Sequence, residues 1–164
     1  MVEANKRSTT VADGRARGFD DSWHEEWWAQ MEKSGGNIIA AMKMRLVEVS
    51  RERVVMEMPF GPGVRQGTGV FAAGALIQLA DVGATSACFE YMRAEWKEEE
   101  VGFPLSVQVS TNLLRNTDGG KVTSETRLVH AGRRLMVAES TVRDEVGRTL
   151  AIVNSTHMVG RSAP

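Results

Sequence analysis

Residues 70 to 89 read Val70-Phe71-Ala72-Ala73-Gly74-Ala75-Leu76-Ile77-Gln78-Leu79-Ala80-Asp81-Val82-Gly83-Ala84-Thr85-Ser86-Ala87-Cys88-Phe89, an apolar run in which Asp81 carries the only charge. A lone carboxylate in such a helix costs several kcal/mol, roughly, if it is buried ionised and unpartnered. It is therefore satisfied by a neighbouring hydroxyl or N–H, or it belongs to a site. The run is long enough to cross a membrane, but Gly74, Gln78, Asp81, Gly83, Thr85 and Ser86 make it too polar, and it stands alone mid-chain. It reads as a core helix.

Working outward, the chain of 164 residues is 42% hydrophobic and 25% charged, the composition of one ordinary globular domain. A formal net charge of −1 gives no basic footprint for nucleic acid, and no Lys/Arg cluster marks a membrane surface. One cysteine, Cys88, cannot form an internal disulfide, and the first thirty residues lack the apolar core of a secretory signal, so the expected compartment is the cytoplasm. Cys88 reads as a small core residue.

Residues 1–21 are polar and without hydrophobic period, and are expected to form a disordered arm. Ser22-Trp23-His24-Glu25 has capping-box spacing, and Trp23, Trp27 and Met31 recur every four residues. A short amphipathic helix is expected within residues 22–36, closed by Ser34-Gly35-Gly36. The folded domain then spans 37–160. Met42 to Val49 and Arg53 to Met58 read as a strand hairpin stopped by Pro59. A glycine-rich loop, Gly61 to Gly69, leads into the helix, which continues through Arg93 to the charged run Glu95 to Glu100. Four β-rich stretches follow, Leu105 to Leu114, Lys121 to His130, Arg134 to Asp144 and Thr149 to Val159, separated by turn-like residues and expected to form one antiparallel meander. Gly61, Gly63 and Gly67 do not make a dinucleotide-binding turn, because the βαβ context is missing. A helix apolar nearly all round needs cover on most sides. The class is α+β: a curved antiparallel sheet wrapped around a long central helix, the hotdog arrangement.

The helix N-terminus at Ala72, Ala73 and Gly74 presents backbone N–H groups suited to an oxyanion or a polarised carbonyl. Asp81 lies eight residues beyond Ala73, about 12 Å along the axis. The two cannot serve one reacting carbonyl within a single chain. Antiparallel helices across a twofold axis would bring Asp81 of one copy to the N-terminus of the other.

These residues resemble hotdog-fold acyl-CoA thioesterases of the phenylacetyl-CoA/4-hydroxybenzoyl-CoA type, over roughly Ile38 to Val159. The likeness centres on Gln66 to Asp81. That family has an Asn, then His-Gly-Gly six residues on, then a carboxylate nine residues after the His. Here Gln66, Ala72-Ala73-Gly74 and Asp81 stand at those positions with the spacing kept. The resemblance implies hydrolysis of an acyl-CoA or aroyl-CoA thioester to carboxylic acid and CoA. Asp81 would be base or nucleophile, the Ala73 N–H would polarise the carbonyl with Gly74 beside it, and Gln66 would orient water or thioester from the partner subunit. It places Ser106 close to the carboxylate, where an ordinary strand serine is the alternative, and Arg133 and Arg134 at the CoA phosphates, where a solvated turn is the alternative.

The resemblance further implies a homodimer or a homotetramer built as a dimer of dimers, with coenzyme A entering only as part of the substrate. No metal is expected, since no His/Cys/Asp cluster has ligand spacing. Replacement of His by Ala72 and of the first Gly by Ala73 departs from the family pattern. It keeps a non-catalytic acyl-CoA sensor as an alternative; the other alternative, a hotdog hydratase/dehydratase, usually relies on a His paired with a carboxylate in the central region, and none is visible there. His24, His130 and His157 read as structural or solvated.

Overall fold

Val54, Met56 and Met58 alternate with Val55, Glu57 and Pro59, the period of a strand with one apolar face. In the computed structural model, which describes residues 29–31, 33, 36–96 and 101–159, these residues form β2 (Val54–Pro59). β1 (Arg45–Val49) pairs with it antiparallel, as the expected hairpin. A single turn of helix, α1 (Ile38–Ala41), precedes them; four residues are too few to leave a periodic signal. Asn37 caps it, its Oδ1 accepting from Ala40 N at 2.9 Å while its Nδ2 donates to Met31 O at 2.6 Å. The expected arm and the start of the tryptophan helix, including Trp23, His24 and Trp27, lie outside the described residues. Residues 29–31 and 33 are helical, and Met31 packs on the core.

The apolar run becomes α2 (Ala73–Glu95). Its start is held by the loop before it and by the chain after the next strand. Ala72 N donates to Val64 O at 2.7 Å, Phe71 N to Thr117 O at 3.1 Å, and Asn116 Nδ2 to Phe71 O at 2.8 Å. Phe71 is fully buried, edge-on to Phe60 at 5.0 Å between ring centroids. Within the loop, Gly69 supplies the left-handed turn (φ 91°) that a side chain would resist. Among the described residues, no helix is long and apolar enough to cross a membrane.

The remaining strands are β3 (Pro104–Leu113), β4 (Lys121–Ala131), β5 (Leu135–Asp144) and β6 (Thr149–Val159), close to their expected bounds. Their pairing departs from a simple meander. The six-stranded sheet runs β1-β2-β4-β5-β6-β3, with every pair antiparallel. β4, β5 and β6 form a meander, but β3 lies beyond β6, at the open edge. The turn-like residues after β3 are no hairpin; they cross to the start of α2, where Asn116 and Thr117 bind Phe71.

The sheet curves around one side of α2 only. Leu76, Leu79, Ala80, Gly83, Ala84, Ala87 and Cys88 face it and are buried, whereas Ile77, Gln78, Asp81, Thr85 and Ser86 on the other side are half-buried. The expected cover on most sides is therefore incomplete in a single chain. β3 is also bare, with Leu105, Val107 and Val109 at 58%, 54% and 41% exposure.

Small residues let the helix sit close. A Cβ built on Gly83 would lie 2.9 Å from Thr126 Oγ1, which is itself bound to Ser140 Oγ at 2.7 Å within the buried face. Ser140 Oγ also donates to Ala80 O at 3.3 Å, tying β5 to the residue before Asp81. Because this wall is pinned from behind, Gly83→Ala should lower unfolding stability by about 1 kcal/mol. Overpacking at ~1–3 kcal/mol outweighs the helix-propensity gain of about 1. Urea denaturation checks this; a stabilised variant would show that the wall yields.

Candidate active site

Asp81 projects from the less covered side of α2 toward β3, and a β-bulge aims the strand at it. Ser106 is opposite His157 in the β3–β6 pairing, but the next pair is Gln108 with Thr156, so Val107 is an extra residue. The phase of the strand changes there. Ser106 points to the helix, and its Oγ donates to Asp81 Oδ1 at 2.6 Å, the short distance of a charge-assisted bond. Gln108, two residues on, meets Thr156 instead.

Behind Ser106 lies His157, fully buried, with Nδ1 3.4 Å from Ser106 Oγ and Nε2 2.9 Å from Ser155 Oγ. His157 therefore belongs to the group around Asp81 and is neither solvated nor remote from it. A signal existed in the sequence: Val153, Ser155 and His157 share the inward parity of β6. That parity becomes informative only when Ser106 is known to be the cross-strand neighbour.

Burial pushes the His157 imidazole below its ordinary range, and the Asp81 carboxylate pulls the other way. Burial likewise raises the Cys88 thiol, with the Asp81 charge adding to it, up to about 12. Cys88, fully buried on the sheet side of α2, is thus an inert thiol, as its sequence context suggests. The native protein should resist iodoacetamide at pH 8 and take up one label in urea; ready labelling of the folded protein would contradict the burial.

The other expected site residues lie elsewhere in the chain. Ala72 is the N-cap of α2 and makes no side-chain cap hydrogen bond, so Ala73 and Gly74 head the helix in its first turn, where N–H groups have no intrahelical partner. Gln66 sits in the loop before it, exposed, its Nε2 donating to Thr68 Oγ1 at 2.8 Å. Asp81 is two helical turns further on. The structure joins Asp81 to Ser106 and does not bring Gln66, Ala73 or Gly74 to them within one chain. Arg133 and Arg134 are exposed in the β4–β5 turn. That turn is close to the strand row in which Met136, His157 and Ser106 are neighbours, and so lies at the same end of the sheet as the Asp81 group.

Comparison with known proteins places this geometry in a family. A family model described as the Thioesterase superfamily matches residues 68–151. A protein of Deinococcus radiodurans named as an esterase is 35% identical over 121 residues, 74% of this chain and 72% of the relative. Among solved structures, a Haemophilus influenzae thioesterase aligns with TM-score 0.71 at 19% identity, covering 81% of this chain and 90% of that one. The Escherichia coli PaaI protein of the phenylacetic acid degradation operon aligns with TM-score 0.66 at 16% identity, covering 84% and 94%. The likeness to these structures shows the fold, and the matched family model and the 35% identical relative establish that the chain belongs to the Thioesterase superfamily, with the hotdog fold.

Proposed function

We propose that the protein hydrolyses an acyl-CoA or aroyl-CoA thioester, with Asp81 as the catalytic carboxylate. The observation that carries the reading is the 2.6 Å bond from Ser106 to Asp81 on the less covered side of α2. It gives a carboxylate a fixed orientation with one oxygen left for water or the thioester carbon. Acting as base, Asp81 takes a proton from water as the hydroxide oxygen bonds to the carbonyl carbon. The C–S bond then breaks, and the proton passes to the sulfur, leaving acid and CoA thiol. Acting as nucleophile, an Asp81 oxygen bonds to the carbonyl carbon as the C–S bond breaks and the CoA thiolate leaves; water then opens the anhydride, releasing the acid, restoring the Asp81 carboxylate and supplying the proton that the thiolate takes up. Coenzyme A enters only as part of the substrate, and Arg133 and Arg134 suit its phosphates.

The carbonyl oxygen needs a donor, and the Ala73 N–H at the head of α2 supplies it, with Gly74 beside it and Gln66 as a side-chain partner. Since Asp81 is about 12 Å along the helix from Ala73, the donor comes from a second copy. The uncovered side of α2 and the bare edge of β3 are the surfaces that a homodimer would cover, with a dimer of dimers as the larger assembly.

A hydratase would need an imidazole at the substrate. His157 is fully buried and has a serine oxygen at each ring nitrogen, which favours hydrolysis. A non-catalytic sensor predicts saturable binding without turnover.

Thiol release from a panel of short, medium, long-chain and aromatic acyl-CoAs tests the reading. Wild type should turn over at least one class, and Asp81→Asn, nearly isosteric but not basic, should bind the ester and lose turnover. Ala73 occupies the first helical position, where proline is tolerated and removes only the N–H. Ala73→Pro should therefore fold normally and lose about 10²–10³-fold in kcat. Undiminished turnover in Asp81→Asn would end the assignment.

A further inference from the structure

The hydrogen positions behind Asp81 follow from the heavy atoms. Ser106 Oγ carries one hydrogen, and at 2.6 Å from a carboxylate oxygen, which only accepts, that hydrogen points to Asp81 Oδ1. What Ser106 Oγ then offers His157 Nδ1, at 3.4 Å, is a lone pair. Only an Nδ1–H can meet it. In a neutral imidazole the other nitrogen then accepts, so Ser155 Oγ, at 2.9 Å, donates to Nε2. Burial of the ring favours the neutral form. All three donors point the same way: Ser155 to His157, His157 to Ser106, Ser106 to Asp81.

We propose that His157 is a positioning residue for this reaction, whose Nδ1–H fills the Ser106 lone pair and so commits the Ser106 hydroxyl hydrogen to Asp81. This rests on the assignment of Asp81 as the catalytic carboxylate. His157 is fully buried behind Ser106, the hydroxyl through which it positions Asp81. Without it, the Ser106 hydroxyl can rotate away from Asp81, and the carboxylate loses its fixed orientation. The bulge at Val107 serves the same end, since it sets Ser106 between the helix carboxylate and the imidazole on the neighbouring strand. Ser155 fixes the tautomer from the far side, a second-layer arrangement of the kind that orients catalytic groups elsewhere.

Two measurements test this, one of them independent of activity. Nitrogen-15 NMR of the imidazoles in the wild-type protein should show His157 as the neutral Nδ1–H tautomer at pH 7. An Nε2–H tautomer would overturn the chain, whatever reaction the protein performs. In kinetics, His157→Leu should lower kcat about tenfold with KM changed less than about twofold, and His157→Asn, whose amide nitrogen stands in for Nδ1, should recover most of the loss. Because the residue acts through Ser106, the double variant Ser106→Ala/His157→Leu should be no slower than Ser106→Ala alone. Additive losses would show that His157 acts by another route and would refute the proposal. If wild type releases no thiol, the thioesterase reading fails, and the NMR result still decides the hydrogen-bond chain.

Discussion

A carboxylate on an apolar helix has to be met by a donor, and the Ser106–Asp81 bond is where this fold meets that requirement. Much of the local architecture is arranged around it. β3 must leave the meander and lie beside β6, because only there does Ser106 come opposite His157 and within reach of the helix. The strand must bulge at Val107 to turn Ser106 inward and still pair beyond it. The helix must sit close, which Ala80, Gly83, Ala84 and Ala87 permit and Ser140 fixes by binding the Ala80 carbonyl.

The same seating leaves the molecule unfinished. One side of α2 and most of β3 are bare in the single chain, and the helix N-terminus that could receive a carbonyl oxygen is two turns from the carboxylate. These are two consequences of one geometry. A rigid helix cannot bend its own first turn back to Asp81, so in the proposed reaction the two groups of one site come from two chains. The proposed twofold partner would cover the apolar edge and complete the proposed site together.

Much of this was legible in the sequence where the signal is local. The apolar run with its one charge marked both the central helix and Asp81, and β6 emerged with its bounds intact because its turns are strong. The nearness of Ser106 to Asp81 came from the resemblance of its strand to a family strand, with an ordinary strand serine as the alternative, and the structure bonds the two. What stayed hidden is non-local. Asn116 to Gly120 has hairpin chemistry, yet the Asn116 side chain and the Thr117 carbonyl go to Phe71 and the Gly120 carbonyl to Phe60, and no local pattern reveals that. His157 looked peripheral at a strand end. Its role depends on parity, on the β3–β6 pairing and on one bulge, and each of these is set by tertiary contacts. The single turn α1 was too short for a period, and its cap at Asn37 is readable only once the turn is known.

The central claim is that the carboxylate and the oxyanion donor of one site come from two chains, and subunit complementation tests it most directly. Ala73→Pro and Asp81→Asn, each inactive as a homo-oligomer, are unfolded together, refolded as a mixture and assayed for thiol release. If the site is shared, each mixed dimer pairs one wild-type Asp81 with one wild-type Ala73 across the twofold axis, and random assembly should restore about a quarter of wild-type activity. If both groups act within one chain, no mixed dimer contains an intact site, and the mixture should remain as inactive as its parents.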